Sequence, residues 1–172
     1  MKITESFVHV AMRLFLKNNG WLLIAGEYPN GSDDELNVLS ISDPAVAKDN
    51  SPDPRRHSVG EIIPDLVAAR DNRILIIEAK PKYSIDDKYK LINLLTNEKE
   101  RLIASLIKFS HGKERFEHID YHNANYIPVL AFGNPSFRVP YEDPGFGHLY
   151  IKSLEEAKLV FFDSPIKEYT DD

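Results

Sequence analysis

The residues best suited to chemistry are two acids and a lysine within one short stretch. Asp65 follows Pro64, while Glu78 and Lys80 follow the apolar run Ile74-Leu75-Ile76-Ile77. Carboxylate oxygens are the ligands that Mg²⁺ prefers. An ammonium group beside them can orient a water molecule and stabilise charge that develops on a reacting group. These side chains would suit metal-assisted hydrolysis if the fold brings them together.

A β-hairpin would do so. The polar segment Arg70-Asp71-Asn72-Arg73 separates two apolar runs, which is typical of a hairpin. A turn centred between Asp71 and Asn72 sets a register that places Asp65 opposite Glu78. Side chains alternate along a strand, so Lys80 points to the same face as Glu78. Such charges are costly to bury unless something pairs with them, and a bound divalent cation is a suitable partner.

The chain before the hairpin begins with a helix. Apolar residues recur at helical spacing from Phe7 to Phe15, with Thr4 as the N-cap and Asn18-Asn19-Gly20 as the stop. Glu5 lies at the border of the apolar stripe and can face into the protein. A strand is predicted at Trp21 to Ala25.

Residues 31–58 are predicted to form a long loop excursion, rich in Pro, Asp, Asn and Ser. Long loops in a compact domain are often functional. Arg55 and Arg56 form a small basic cluster there, which suits contact with a nucleic acid. A solvated loop with two incidental arginines explains the pattern equally well.

After the hairpin the pattern predicts helices and then strands. Asp86 and Asp87 can cap a helix through about Leu95, and a capping box of Asn97 with Glu100 can start a second run to Phe109. The apolar faces of these helices should cover one side of the sheet. Strands are predicted at Tyr126 to Phe132, where Pro128 favours a place near the strand start or the sheet edge, at His148 to Ile151 and at Leu159 to Phe162.

Length and composition narrow the class of protein. The 172 residues fit a single domain, 1–172, with a substantial core. The net charge of −6 is the wrong sign for a protein that coats nucleic acid indiscriminately. Because there is no Cys, disulfides and thiolate zinc sites are excluded. No apolar run approaches the roughly 20 residues of a membrane span, and we expect a cytoplasmic protein without membrane contact.

Pro64-Asp65, followed by Glu78-Ala79-Lys80, resembles the signature of the PD-(D/E)XK nuclease superfamily, which includes many restriction endonucleases. The resemblance extends to the order of elements from about Glu5 to Phe132. It implies an α/β fold with a restriction-endonuclease-like three-layer core, a central mixed sheet flanked by helices in the order αβββαβ. The implied function is a Mg²⁺-dependent DNA endonuclease, most simply of the restriction type and a homodimer.

The resemblance also implies roles for the residues. Asp65 and Glu78 would bind Mg²⁺, for which Mn²⁺ can substitute, and the backbone carbonyl of Ala79 would add a ligand. Lys80 would orient the attacking water, and the nearby metal would lower its pKa. Glu5 matches the helix acid of many relatives and would support a second metal or a water.

Other candidates are less specific. Glu27 is a rival to Glu5 as the third acid, and Glu5 can also be an ordinary first-turn helix acid. Lys82 and Lys90 can contact phosphates beside the site or be solvated. Glu156-Ala157-Lys158, with Asp143 upstream, repeats the spacing of the motif but lacks its strand context, which favours a helical, solvated interpretation.

Two alternative functions remain open. The fold can serve as a catalytically inactive binding or assembly subunit of a larger complex, or as a repair or junction-resolving nuclease. His118 and His122 are spaced as metal ligands on a helix can be, but nothing completes a zinc site, so structural or surface roles are expected.

Overall fold

The computed structural model describes residues 2–29, 36–42 and 61–162. Helix α1 spans Glu5–Asn18, followed by strands β1 at Leu22–Gly26, β2 at Ile41–Ser42, β3 at Glu61–Ile62, β4 at Leu66–Arg70 and β5 at Arg73–Lys80. Helices α2 at Ile85–Asn97 and α3 at Lys99–Ser110 come next. A short 3₁₀ helix at Glu114–Phe116 precedes β6 at Asn125–Gly133, β7 at Gly147–Ile151 and β8 at Ala157–Phe161.

The centre of the fold is a six-stranded mixed sheet in the order β1-β4-β5-β6-β7-β8. β5 runs parallel to β6, and β6 parallel to β7, while the other pairs are antiparallel. β2 and β3 form a separate two-stranded sheet. The predicted hairpin register is confirmed, with Arg70 opposite Arg73 and Leu66 opposite Ile77. Asp65 therefore lies immediately before β4, beside the last residues of β5.

Helices cover both faces of the sheet. On one face, Val8 and Met12 of α1 pack in the same buried cluster as Leu75 and Ile77 of β5. On the other, α2 and α3 pack with Ile74 and Ile76. The alternation of a strand thus sends neighbouring residues of β5 into two different cores, as its continuous apolar run predicts.

The predicted first helix and its cap are confirmed, because the Thr4 hydroxyl accepts the Phe7 N–H at 3.1 Å. The caps predicted for the later helices are wrong. Ser84 caps α2, with its hydroxyl accepting the Asp87 N–H at 3.2 Å. Glu98 precedes α3 without a side-chain cap, and Asn97 instead donates its amide to Asn93.

The last three strands follow the predicted order with two corrections. β6 lies inside the sheet, between β5 and β7, and not at the sheet edge, one of the two positions predicted from Pro128. Pro128 is compatible with this position because β6 pairs with β7 only from Val129 onwards. The helical interpretation of Glu156 and Lys158 is wrong. β7 and β8 form an antiparallel hairpin, with exposed Glu156 in its turn and exposed Lys158 in β8.

Within the predicted excursion at 31–58, Ile41–Ser42 forms β2. Arg55 and Arg56 lie outside the described residues, so their predicted contact with nucleic acid stays a prediction. No helix in the described ranges is long and apolar enough to cross a membrane.

Candidate metal centre

The acids of the motif meet where β5 ends and β4 begins. Glu78 and Lys80 are among the last three residues of β5, and Asp65 is the residue that precedes β4. One carboxylate oxygen of Asp65, Oδ2, accepts the backbone N–H of Ala79 at 2.8 Å. This bond fixes the Asp65 side chain against the end of β5. The predicted role of the Ala79 carbonyl remains a prediction.

Glu78 is the most perturbed acid of this group. Only 3% of the residue is exposed. Burial is the main cause that raises the pKa of Glu78 well above its ordinary value, followed by the charge of Asp65 and a hydrogen bond between the two carboxyl groups. The ammonium of Lys90 opposes this rise in pKa, with its Nζ 2.5 Å from Glu78 Oε1. Two carboxyl groups in such close contact need a shared proton or a cation between them.

Lys80 is held between acids from two helices. Its Nζ lies 3.1 Å from Glu5 Oε1 on α1 and 3.9 Å from Asp87 Oδ2 on α2. Burial lowers the pKa of Lys80, but the hydrogen bond to Glu5 and the charge of Asp87 outweigh it, so the pKa is raised overall. Lys80 is therefore a cation in the metal-free protein, whereas its lowered pKa was predicted for the metal-bound state.

A histidine that the sequence prediction missed completes the group. The ligand atoms of Glu5, His9 and Asp65 all lie within 4.8 Å of one another. His9 Nε2 is 3.8 Å from Asp65 Oδ2, and the imidazole is completely buried. Neither ring nitrogen has a hydrogen-bond partner among the described residues. Leaving both unsatisfied is costly, so the ring is suited to a ligand that it can coordinate.

The charge state of His9 fits that role. Burial is the main cause that lowers the pKa of His9, and it outweighs the opposing charges of Asp65 and Glu5. The imidazole is therefore neutral at neutral pH, which is the form that coordinates metals. Glu5 and His9 are four residues apart on one face of α1, and this Glu-x-x-x-His spacing is the sequence signal that points to the pair.

Helix α2 adds two charged groups to the site, Asp87, which was not predicted as a site residue, and Lys90, which was predicted as a possible phosphate contact. Asp87 is 8% exposed, and its Oδ2 has no hydrogen-bond partner among the described residues. Burial is the main cause that raises the pKa of Asp87, with Lys80 and Lys90 opposing the rise. Lys90, predicted as a phosphate contact or a solvated lysine, has a side chain that is 39% exposed and pairs with Glu78, and its contact with phosphate stays a prediction.

The remaining predicted residues have different positions. Glu27 donates its backbone N–H to the Asp65 carbonyl at 3.1 Å. Its side chain is not part of the group of possible metal ligands found in the described ranges, whereas Glu5 is. Lys82 is exposed in the segment that follows β5. His118 and His122 are exposed as expected and belong to no such ligand group in the part of the chain described.

The arrangement can therefore hold a cation at the end of the central strand β5. Carboxylate oxygens and one imidazole nitrogen would surround the cation, and a lysine lies beside it. No protein-family model, curated protein or solved structure matches the chain.

Proposed function

We propose that this chain is a divalent-cation-dependent nuclease of the PD-(D/E)XK type, with a restriction-endonuclease-like core, that hydrolyses phosphodiester bonds in DNA. One observation carries the proposal. The acids Asp65 and Glu78 of the motif meet Lys80 at the end of a buried central strand, and helix α1 brings Glu5 and His9 to the same place.

The side chains present fit a divalent cation. Glu5, His9 and Asp65 form one group of possible ligands, and Glu78 adds a third carboxyl group beside Asp65. Both nitrogens of the buried His9 ring lack a hydrogen-bond partner among the described residues. Oxygen ligands suit Mg²⁺, whereas an imidazole nitrogen is better matched to a transition metal such as Mn²⁺. We expect both ions to bind, with Mn²⁺ the tighter of the two.

The metal ligands, Lys80 and Asp87 have different roles in the proposed hydrolysis. A cation bound by Asp65, Glu78, Glu5 and His9 would stabilise charge on the phosphate and acidify a bound water. Lys80 orients the attacking water and stabilises the charge that develops on the phosphate oxygens. Asp87, with its Oδ2 3.9 Å from Lys80 Nζ, would hold the ammonium in place when Glu5 turns towards the cation.

A cleavage assay tests the proposal. Purified protein with Mg²⁺ or Mn²⁺ is given linear, supercoiled, single-stranded and branched DNA, with and without EDTA. We expect cleavage that EDTA abolishes and that Lys80→Ala reduces by roughly 100-fold or more. Lys152→Ala, which removes an exposed lysine from the β7–β8 turn, is the matched control and should retain activity. If every form of DNA stays intact under all conditions, the proposal is wrong.

A binding or assembly module without catalysis is the second candidate. The net charge of −6 favours it, because nucleic-acid affinity normally requires a basic surface. Calorimetry separates the two candidates. Binding of Mn²⁺ that is lost in Glu78→Ala supports the enzyme, while the absence of metal binding by the wild-type protein supports the module. A preference for branched over linear DNA in the cleavage assay would identify a repair or junction-resolving nuclease.

A further inference from the structure

Two segments leave the sheet side by side next to the candidate metal centre. One follows Lys80 at the end of β5, and the other is the β6–β7 loop at residues 134–146. The Gly133 N–H donates to the Pro81 carbonyl at 3.0 Å. A Cβ on Gly133 would lie only 2.9 Å from that oxygen, so the close approach requires glycine. The β6–β7 loop therefore begins directly beside the segment that follows Lys80 and carries Lys82.

Each of these two segments contributes one tyrosine to an aromatic pair. The rings of Tyr83 and Tyr141 have centroids 4.5 Å apart and planes inclined by 36°. Tyr141 is 57% exposed, more than any other large hydrophobic side chain in the described ranges. The exposed face of Tyr141, which rests on Tyr83, is therefore available to stack on another flat ring.

A buried polar network fixes Tyr83, the more buried ring of the pair. The Tyr83 hydroxyl donates to Asp143, with 3.0 Å to its Oδ2. Asp143 is 1% exposed and is held by Lys88 Nζ at 2.7 Å and by His148 Nε2 at 2.7 Å. The second His148 nitrogen lies 3.0 Å from the Tyr150 hydroxyl. These contacts tie Tyr83 to α2 and β7, so the pair is organised before any ligand binds.

We propose that Tyr141, supported by Tyr83, is a stacking platform for an unpaired base of a DNA strand entering the metal centre. The inference rests on the proposed nuclease function and names its substrate class, DNA with a single-stranded part. The faces of bases inside a duplex are already stacked, so away from the duplex ends an exposed ring can stack only on a base that is unpaired or extruded.

The charges around the pair suit this occupant. Lys82 and Arg138 are exposed in the same two segments and can contact a backbone phosphate. Glu142 is exposed beside Tyr141, and the chain as a whole is acidic. Lys82 and Arg138 would supply positive charge for the backbone, and stacking on Tyr141 would add affinity that does not depend on charge.

The test measures binding of a single strand that carries 2-aminopurine, with Glu78→Gln as the background so that no cleavage occurs. Fluorescence of the base analogue reports stacking, and anisotropy of a labelled strand reports affinity. Adding Tyr141→Ala should remove the stacking signal and weaken single-strand binding by about tenfold or more. Tyr141→Phe keeps the ring and should retain both. Duplex of the same sequence should bind equally to all three proteins.

Unchanged single-strand binding and fluorescence in Tyr141→Ala would overturn the platform, as would equal losses for single strand and duplex. Thermal unfolding of each variant shows whether the fold is intact. Failure of the platform is distinguishable from failure of the nuclease. If the wild-type protein binds Mn²⁺ and cleaves DNA while Tyr141→Ala keeps its single-strand binding and stacking signal, only the platform is refuted. Wild-type protein that neither binds Mn²⁺ nor cleaves DNA refutes the proposed function.

Discussion

Replacing Glu78 with glutamine should make the metal-free protein more stable at neutral pH while abolishing metal binding. Glu78 is almost fully buried beside Asp65, and the pKa of Glu78 is raised well above its ordinary value by burial first and by Asp65 second. A glutamine of the same shape removes the carboxylate charge and can donate its amide to Asp65. Lys90, the partner left behind, is 39% exposed and can turn to water.

The sign of the pH dependence follows from the direction of the shift. The folded protein holds the Glu78 proton more tightly than the unfolded chain, so wild-type stability is complete below the unfolded pKa and falls as pH rises towards the folded value. The net rise in pKa already includes the opposing charge of Lys90. Removing an incompletely compensated buried charge commonly stabilises a protein by about 1–3 kcal/mol, so we expect Glu78→Gln to gain about that much at pH 8, or roughly 2–10 °C in Tm.

Thermal unfolding followed by circular dichroism, in EDTA and across a pH series from 4 to 8, measures this gain. It should vanish towards the acid end of the series. Glu155→Gln, at an exposed position in the β7–β8 turn, is the control and should change stability by less than about 0.5 kcal/mol. Saturating Mn²⁺ should raise the Tm of the wild type and not that of Glu78→Gln. A lower Tm for Glu78→Gln, or a gain that does not depend on pH, would refute this account of Glu78.

Three further changes have defined outcomes. Gly133→Ala should lower the free energy of unfolding by about 1–3 kcal/mol because its Cβ meets a backbone carbonyl. Gly112→Ala, at φ +77° in open space, should cost only about 1 kcal/mol, and equal costs would contradict the close approach. Asp143→Asn should destabilise by about 3–5 kcal/mol in urea titrations, because it removes the buried negative charge that Lys88 and His148 share, and a neutral effect would show that the network is dispensable. Lys90→Met should raise the pKa of Glu78 further, because the ammonium that opposes the rise is gone. As the pH is lowered, calorimetry should then show Mn²⁺ binding begin to weaken at a higher pH than in the wild type, and an unchanged pH profile would refute the pairing.

The central hairpin could be predicted from local sequence because its determinants are local. The polar Arg70–Arg73 turn sets the register, and the period-2 alternation of a strand then fixes which residues share a face. Once Asp65 is placed opposite the end of β5, the meeting of Asp65 and Glu78 follows without knowledge of the rest of the fold. The first helix was predictable for the same reason, since its cap and apolar stripe are encoded in consecutive turns.

The resemblance pointed to Glu5 as a site residue, but the ion pairs of these residues could not be predicted, because they join elements distant in sequence. Glu5 and Lys80 meet only when α1 packs on the sheet, and Lys90 reaches Glu78 only through the docking of α2. Asp143 looked like part of a chance repeat of the motif and is instead the buried centre of a network. Its partners lie on three separate elements, and no local pattern identifies them.

His9 tests the central claim most directly, because it alone offers nitrogen to the proposed metal centre. Pulsed electron paramagnetic resonance of Mn²⁺ bound to the wild-type protein would detect coupling to an imidazole nitrogen. We predict a nitrogen coupling that is lost in His9→Gln, with the variant still folded and binding Mn²⁺ more weakly. Mn²⁺ that does not bind, or that binds with no nitrogen coupling, would contradict the convergence of Glu5, His9, Asp65 and Glu78 on one cation.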